Sequence, residues 1–579
     1  MLFVIPARGG SQGVTRKNLR EVAGIPLVGW AIRQSVRAAK RLGSGHRVVC
    51  STEDAEIARV AREWGAEVPF ERPLELASAT ASSEAVMLHA LDWFEAAGET
   101  FAAIARVQPT TPLTSAADIA AAIRLFLGGD GTPVTTVSPA RPPSWTYVLE
   151  SGRLREVVPE PPGVVRRQDL PDYYALTGAV SVNSPSRLRA TGQIIEPGSR
   201  ALVTPADRSV DIDTEDDLRL AEALLAARSA GSIHVGQRRI GAGQPAYVIA
   251  EAGVNHNGDP VLARRLVDAA HASGADAVKF QTWKTEKLLT PEAPLADYQK
   301  KNLGTGTSQF AMIQALELPA ESLSSIAQQA RKLGITFLST PDEEDSADLL
   351  ESLGVPAFKI GSAEVSNLDF LRHLALKNRP LILSTGMATL LEVERAVLCI
   401  EAAGDPPLAL LHCVSDYPSA PADTNLRAID TLRGAFGRAV GLSDHTEGHT
   451  IALAAVARGA CVIEKHLTLE RSLPGPDHRA SLDPAGFTAL VRAIRDAESA
   501  MGDGQKRPTA AELVHRSVMR KRCVAARALP AGARLTRADI ALRRADPAGF
   551  DPADLDSLVG RTLLRAVAAW DTLVPELLA

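Results

Sequence analysis

CVIEKHLTLE, residues 461–470, carries three ionisable side chains, Glu464, Lys465 and His466, inside a run that otherwise reads as a short buried strand. Alternation resolves the oddity. Residues two apart on a strand share a face, so Glu464 and His466 point one way and Lys465 the other. Working outward, the same kind of strand-like run recurs in YVIAEAGV, AVKFQTW, TFLSTP, AFKIGS, LILSTG, LALLHCVS and AVGLSDH. Helical stretches such as PVLARRLVDAAHASG and TLLEVERAVLCIEAAG separate them. Eight strands, each followed by a helix over roughly 250 residues, predict a closed (β/α)8 barrel rather than an open doubly wound sheet.

The 579 residues exceed one hydrophobic core and imply about three domains. We expect an α/β protein with a Rossmann-like domain over 1–228, where LFVIPA, HRVVCST, FAAIARVQP and TPVTTVS alternate with helical patterns. A Gly-rich linker or hairpin follows over 229–246, then the barrel over 247–500, a connecting arm over 501–519 and a small β-rich module over 520–579. Five scattered cysteines, no signal-like start and no membrane-length apolar run point to a cytoplasmic protein. A net charge of -5 argues against nucleic acid, so an anionic substrate needs a local cluster of positive groups.

Polar residues gather at the carboxyl ends of the eight strands, which in a barrel form one mouth. They are Glu251, Lys279 with Gln281, Ser339 and Thr340, Lys359 with Ser362, Ser384, His412 with Ser415, Ser443 to His445, and Glu464 with His466. Neighbouring strands lie ~4.8 Å apart, so His445 and His466 can share one divalent ion, Mn²⁺ or Mg²⁺, acting as a Lewis acid. The competing reading treats each histidine as a satisfied structural group. Two on adjacent strand ends, facing two lysines, favour the site. His271, on a helix, falls outside it.

AEAGVNHNG, VKFQT, STP, FKIGS, LSTGM, HCVSDYP, GLSDH and IEKHLTLERSLPGPDH together resemble the sialic acid synthase family, and the resemblance continues into a C-terminal antifreeze-like (SAF) domain. It implies condensation of phosphoenolpyruvate with the open-chain form of an N-acetylated hexose, giving a nine-carbon 2-keto sugar acid and phosphate. On this resemblance His445 and His466 hold the metal. Lys279, Thr340, Lys359, Ser362, Ser384 and Ser443 bind phosphoenolpyruvate. Glu251 acts on a sugar hydroxyl or a proton in flight, and Glu464 serves as base for water. Tyr417 and Asp444 line the sugar pocket, with Asp444 also a candidate catalytic group. Arg544 reaches the neighbouring subunit's site in a homodimer with exchanged SAF domains. Two departures stand out: Ser415 where the family has Asn, and the sequence RAD around Arg544. ADYQKKN (296–302) resembles synthases of legionaminic acid, which suggests a 2,4-diacetamido-6-deoxy hexose rather than N-acetylmannosamine.

IPARGGSQGVTRKNL, after the first strand, has the glycines and basic groups to cradle an anion without being a Walker A loop. SVDIDTEDD places Asp211 and Asp213 on one face of an expected strand, suited to Mg²⁺ beside a triphosphate. With RPLELASATASS, VQPTTPLT and RRQDLP, these stretches resemble the acylneuraminate cytidylyltransferases. The resemblance implies transfer of CMP from CTP to a sugar acid. Arg8, Ser11, Lys17 and Asn18 would hold the triphosphate, Lys17 as the catalytic cation. Arg72, Ser83 and Gln108 would contact the nucleotide, Asp211 and Asp213 would bind Mg²⁺, and Arg167 would lie near the sugar acid. The departures are Gln12 for a lysine, Thr114 for an arginine, ALTG (175–178) for Arg-Pro-Asn-Gly, and Ser181 for a tyrosine. They leave the nucleotide half intact and alter the sugar half. The expectation is a bifunctional enzyme. Its rivals are a synthase with a sensing N-terminal domain, a C-terminal module serving only dimerisation, and a Schiff-base aldolase.

Overall fold

The computed structural model describes residues 1–11, 13–78, 80–158, 170–227, 231–294 and 308–579. Gln12, Arg167 and the ADYQKKN segment lie outside the described residues. The chain divides into two compact units, Met1–Ala500 and Met501–Ala579.

The first unit holds two large sheets. Strands β1 (Leu2–Pro6), β2 (Arg47–Ser51), β3 (Ile104–Val107), β4 (Val134–Ala140), β5 (Tyr173–Asn183) and β6 (Arg200–Val203) form one sheet, ordered β6-β4-β5-β3-β1-β2. Only β5 runs antiparallel to its neighbours, β3 and β4. Helices α1 (Leu27–Leu42), α2 (Ser83–Ala96) and α3 (Glu215–Ala227) belong to the same half. α2 starts where the Ser82 hydroxyl accepts from the Ala85 amide, which satisfies an orphan donor of the first turn. The segment carrying Asp211 and Asp213 is not the strand expected from its alternation. It is an extended loop, tied by one backbone bond from Ile212 to Thr110. Ile212 is buried while both aspartates are exposed, so the two carboxylates still share a side.

The second sheet is the barrel: β7 (Tyr247–Gly253), β8 (Ala277–Thr282), β9 (Thr336–Pro341), β10 (Phe358–Ile360), β11 (Leu381–Ser384), β12 (Leu408–Cys413), β13 (Ala439–Asp444) and β14 (Val462–His466). All ladders are parallel, in the order β9-β8-β7-β14-β13-β12-β11-β10, with β9 and β10 in contact at the seam. Every residue of β7 is buried, as a barrel strand packed on both faces requires. Outward residues such as Val248, Phe280, Leu383 and Ile463 pack under the helices. Inward residues form a separate core of Tyr247, Ile249, Ala277, Leu338, Ile382, Leu411 and Val462, joined by Ile233, Val235 and Ile240 of a hairpin between Ile233–Val235 and Arg238–Ile240. Gly441 is needed on the inner face of β13, because a Cβ there would sit 2.4 Å from the Val462 carbonyl and 2.8 Å from Leu411.

The two halves meet through α1 and two barrel helices, α4 (Leu390–Ala403) and α5 (Ala428–Phe436). Arg33, on α1, pairs with Glu394 of α4 at 2.8 Å, with side chains only 1% and 3% exposed. Its guanidinium lies over Trp30 at 5.1 Å and over Phe436 at 5.0 Å, and it donates to the Ala435 carbonyl. Arg37 approaches Glu394 at 3.3 Å and Glu401 at 3.5 Å. Leu218, Ala221 and Leu225 of α3 share an apolar cluster with Ala435.

In the second unit, β15 (Lys521–Ala525) and β16 (Ile540–Arg544) pair antiparallel around a small core that includes Cys523, Leu535, Leu558 and Leu573. Within the expected connecting arm, Ala510–Met519 is a helix opened by a reciprocal Thr509–Glu512 cap. Among the described residues no helix is long and apolar enough to cross a membrane.

Candidate active sites

The barrel interior changes character one step before the strands end. Two residues beyond the apolar Ile249, Ala277, Leu338, Ala357, Ile382 and Val462 come Glu251, Lys279, Thr340, Lys359, Ser384 and Glu464. These six, with Ser362, Tyr417, Ser443, His445 and His466, line one cavity of about 530 Å³. The lysines are buried and countered inside it. Lys279 Nζ lies 2.7 Å from Glu251 and 3.9 Å from Glu464, and donates to Thr340 Oγ1 at 3.0 Å. Lys359 Nζ lies 3.5 Å from Glu464. Ser443 Oγ donates to Glu464 at 2.9 Å, and Gln281 donates to Glu251 at 3.0 Å.

Burial works against charge on all four groups. For Glu464 the attraction of Lys279 and Lys359, with the Ser443 hydrogen bond, wins and holds the carboxyl down at about 2. For Glu251 burial wins, aided by the Glu464 charge, and its pKa is raised. Lys279 is raised, since its two carboxylate neighbours outweigh desolvation. Lys359, held only at longer range, is lowered by burial. The two carboxyls are thus shifted in opposite directions, Glu464 down and Glu251 up, the sense of separation that distinct acid and base roles require.

His445 and His466 stand side by side, ring centroids 5.5 Å apart, with the Tyr417 ring 4.2 Å and 5.8 Å away. His445 Nδ1 donates to the Val414 carbonyl at 2.7 Å, which leaves Nε2 with its lone pair. His466 is pushed well below the ordinary histidine range by burial and by the neighbouring positive groups, and its buried Nδ1 has no hydrogen-bond partner. Burial opposes charge on His445 too, but its contacts with Cys413 and the Val414 carbonyl outweigh burial and raise its pKa. Two adjacent imidazoles, when deprotonated, fit a divalent ion whose other positions go to water or substrate oxygens. No cluster of three or more such ligands occurs among the described residues.

Asp444 is a correction. The alternation that turns Ser443 and His445 inward sends Asp444 outward, where it binds Lys465 at 2.8 Å and accepts from Thr446 N and Oγ1. It does not line the cavity, and Lys465 points away as its parity predicts. His412, also outward, reaches the Thr424 carbonyl. Arg544 is exposed at the end of β16. Sequence reasoning missed Asp342 and Asp477, both in the cavity wall. Burial raises Asp342 to about 7 and Asp477 to about 6, and Asp477 lies 4.0 Å from His466 Nδ1. Both sit in loops beyond strand ends, where alternation gives no orientation.

A second cavity lies in the N-terminal half. Arg8, Ser11, Lys17, Asn18, Arg72, Ser83, Gln108 and Asp213 all line it. Here the cations rest largely on backbone carbonyls. Arg8 donates to Ser78 O at 2.8 Å, and Lys17 to Ile212 O at 2.7 Å and Asp213 at 2.9 Å. Buried Arg72 donates to the carbonyl and, at 3.1 Å, to the hydroxyl of Ser51. Asn18 donates to Arg8 O, Ser11 Oγ donates to Val14 O, and Ser11 Oγ accepts the Lys17 amide. Gly13 is required, since a Cβ would fall 2.3 Å from the Asp213 carbonyl. Of the two aspartates only Asp213 lines this cavity; Asp211 lies outside the lining, against Gly178. Carboxylate oxygens are the ligand type that a hard cation such as Mg²⁺ takes.

Comparison with known proteins follows this division. Over 340 residues the chain is 45% identical to the N,N'-diacetyllegionaminic acid synthase of Legionella pneumophila, covering 58% of this chain and 95% of the relative. The chain belongs to the NeuB family. Residues 266–506 match the NeuB family itself, residues 2–140 match the cytidylyltransferase family, and residues 523–579 match the SAF domain. The N,N'-diacetyllegionaminic acid synthase of Campylobacter jejuni is 45% identical over 51% of this chain and 90% of its own length. Human N-acetylneuraminate-9-phosphate synthase is 34% identical over 59% and 94%. The protein is therefore a NeuB-type synthase fused to a cytidylyltransferase domain, in the chemistry of sialic-acid-type sugars.

Proposed function

We propose that the NeuB barrel condenses phosphoenolpyruvate with a 2,4-diacetamido-6-deoxy hexose to a legionaminic-type sugar acid, and that the N-terminal domain converts that acid to its CMP derivative. The reading rests above all on the pairing of Lys279 and Lys359 with Glu251 and Glu464 in a cavity beside two histidines, in a chain that also carries a nucleotide cradle. The two legionaminic acid synthases at 45% identity support this acceptor over N-acetylmannosamine.

In this proposal Lys279, Lys359, Thr340, Ser362, Ser384 and Ser443 bind the carboxylate and phosphate of phosphoenolpyruvate. The substrate anions take up cationic charge that the glutamates now share. The carbon–carbon bond forms between the methylene of the enol ester and the sugar aldehyde. Water adds to the former enol carbon, and the C–O bond to phosphate breaks. Glu464, ionised, takes the proton from that water. Glu251, its pKa raised by burial, manages the proton at the sugar oxygen. His445 and His466 would hold Mn²⁺ or Mg²⁺, which polarises a carbonyl when bound. In the N-terminal domain Arg8, Ser11, Lys17 and Asn18 hold the triphosphate and spread the charge of departing pyrophosphate. Asp211 and Asp213 would hold Mg²⁺. Arg167 belongs to the sugar side of this proposal, as does a homodimer in which Arg544 serves the partner.

Mass spectrometry of products from phosphoenolpyruvate, CTP and a panel of acetamido hexoses tests the proposal. A CMP-linked diacetamido nonulosonic acid is the expected product. A free sugar acid that persists with CTP present would instead leave the N-terminal domain as a sensor.

A further inference from the structure

Arg106, in the middle of β3, is only 8% exposed, and among the described residues no carboxylate lies within ion-pair distance of it. Other buried arginines of this half are partnered. Arg33 has Glu394, and Arg72 has both the hydroxyl and the carbonyl of Ser51. Arg106 has two long contacts, from Nη2 to the Gly178 carbonyl and to Ser181 Oγ, both 3.3 Å, and its buried Nε has no partner. A guanidinium cannot shed its proton to escape burial. Burial depresses it, and the carboxylates of Glu84 and Asp211 act on it only from further away.

Its position is specific. Arg106 shares a strand face with Gln108, which lines the nucleotide cavity. Arg106 and Ser181 are cross-strand partners. Gly178, at φ 69°, sits against Asp211 and Gln108, so that a Cβ there would lie 3.7 Å and 3.9 Å from their side chains. The sugar-side pattern of the cytidylyltransferases is altered at Ala175 to Thr177, just before Gly178, and again at Ser181, where a tyrosine is lost. Ser181 stands opposite Arg106 where the family has a tyrosine, so the buried guanidinium and the missing ring meet at one spot, behind Gln108 of the cavity wall.

We propose that Arg106 is a specificity-determining residue of the cytidylyltransferase half, donating to an acceptor oxygen of the incoming sugar acid, either its carboxylate or an acyl carbonyl. The inference rests on the CMP-transfer reading above. A buried fork with an unused N–H suits such an oxygen, and it serves the sugar rather than the triphosphate, whose cations are on the basic loop.

The test is steady-state pyrophosphate release by the full-length protein with CTP and either N,N'-diacetyllegionaminate or a nonulosonic acid lacking acylamino groups. Arg106→Gln is expected to raise KM for the acylated acid about tenfold or more and to leave KM for CTP within about twofold. Arg106→Lys, which keeps the charge but loses the fork, falls between, and it decides the matter if the Gln variant melts early. A penalty equal for both acids identifies the carboxylate as the acceptor, and one confined to the acylated acid identifies the acyl carbonyl. Unchanged KM for both acids, or an equal rise for CTP, overturns the inference while the transferase reading stands. A wild-type protein that releases no pyrophosphate with either acid overturns both.

Discussion

The barrel mouth and the nucleotide cradle solve the same problem, holding cations for an anionic substrate, in opposite ways. In the mouth, Lys279 and Lys359 are buried and balanced by Glu251 and Glu464. In the cradle, Lys17, Arg8 and Arg72 lean mostly on main-chain carbonyls. Carboxylate partners hold a charge inside a low-dielectric site and tune the acids and bases beside it. Carbonyl partners orient a cation and leave its charge available to phosphate. The first arrangement suits bond formation with proton transfers, and the second suits positioning and charge dispersal.

Lys279→Met tests that contrast most severely. It is expected to lower the synthase rate by a factor on the order of 10²–10³, while CTP turnover at saturating sugar acid stays within error. Loss of both activities would mean that the two sites are not separable. Arg33→Ala is next, because it strands Glu394 in the contact between the halves. A loss of about 3–5 kcal/mol in urea unfolding is expected, and joint replacement of Arg33 by Met and Glu394 by Leu should recover most of it. Lys17→Ala removes a cation that donates to a carbonyl and a carboxylate, and should slow pyrophosphate release about 10- to 100-fold without changing the synthase. His466→Ala should abolish calorimetric Mn²⁺ binding at the mouth and leave CTP binding intact.

The smallest effect is a pH slope. Burial, with the charge of Glu364, lifts Asp342 to about 7, so between about pH 4 and pH 7 the folded protein binds a proton that the unfolded chain has released. Its contribution to stability is therefore greatest in acid and declines as pH rises through that window. Asp342→Asn should flatten this part of the denaturation-midpoint profile. An unchanged slope would show that Asp342 is no more shielded than the cradle's carboxylates.

Much of the mouth is legible in the residues alone. Eight recurring strand-like runs predict the barrel, and alternation turns Lys279, Ser443, His445, Glu464 and His466 into one rim. Placing Asp444 in the sugar pocket goes against that same alternation, and the structure sides with the alternation. Asp342 and Asp477 escape a linear reading because loops carry no period from which to read direction. Asp211 and Asp213 keep their common side although the expected strand is a loop, since Ile212 between them is buried.

Extended backbone imposes a period of two, so the order of residues is enough to say which side chains stand at strand ends and which way each turns. Which of them meet is settled by packing. Burial raises Glu251, while Glu464 is lowered, because two lysines from other strands lie near Glu464 and only one touches Glu251. Arg106 goes without a carboxylate because β5 brings a glycine and a serine to its side. Such balances arise from burial and from distances across the fold, and no local pattern encodes them.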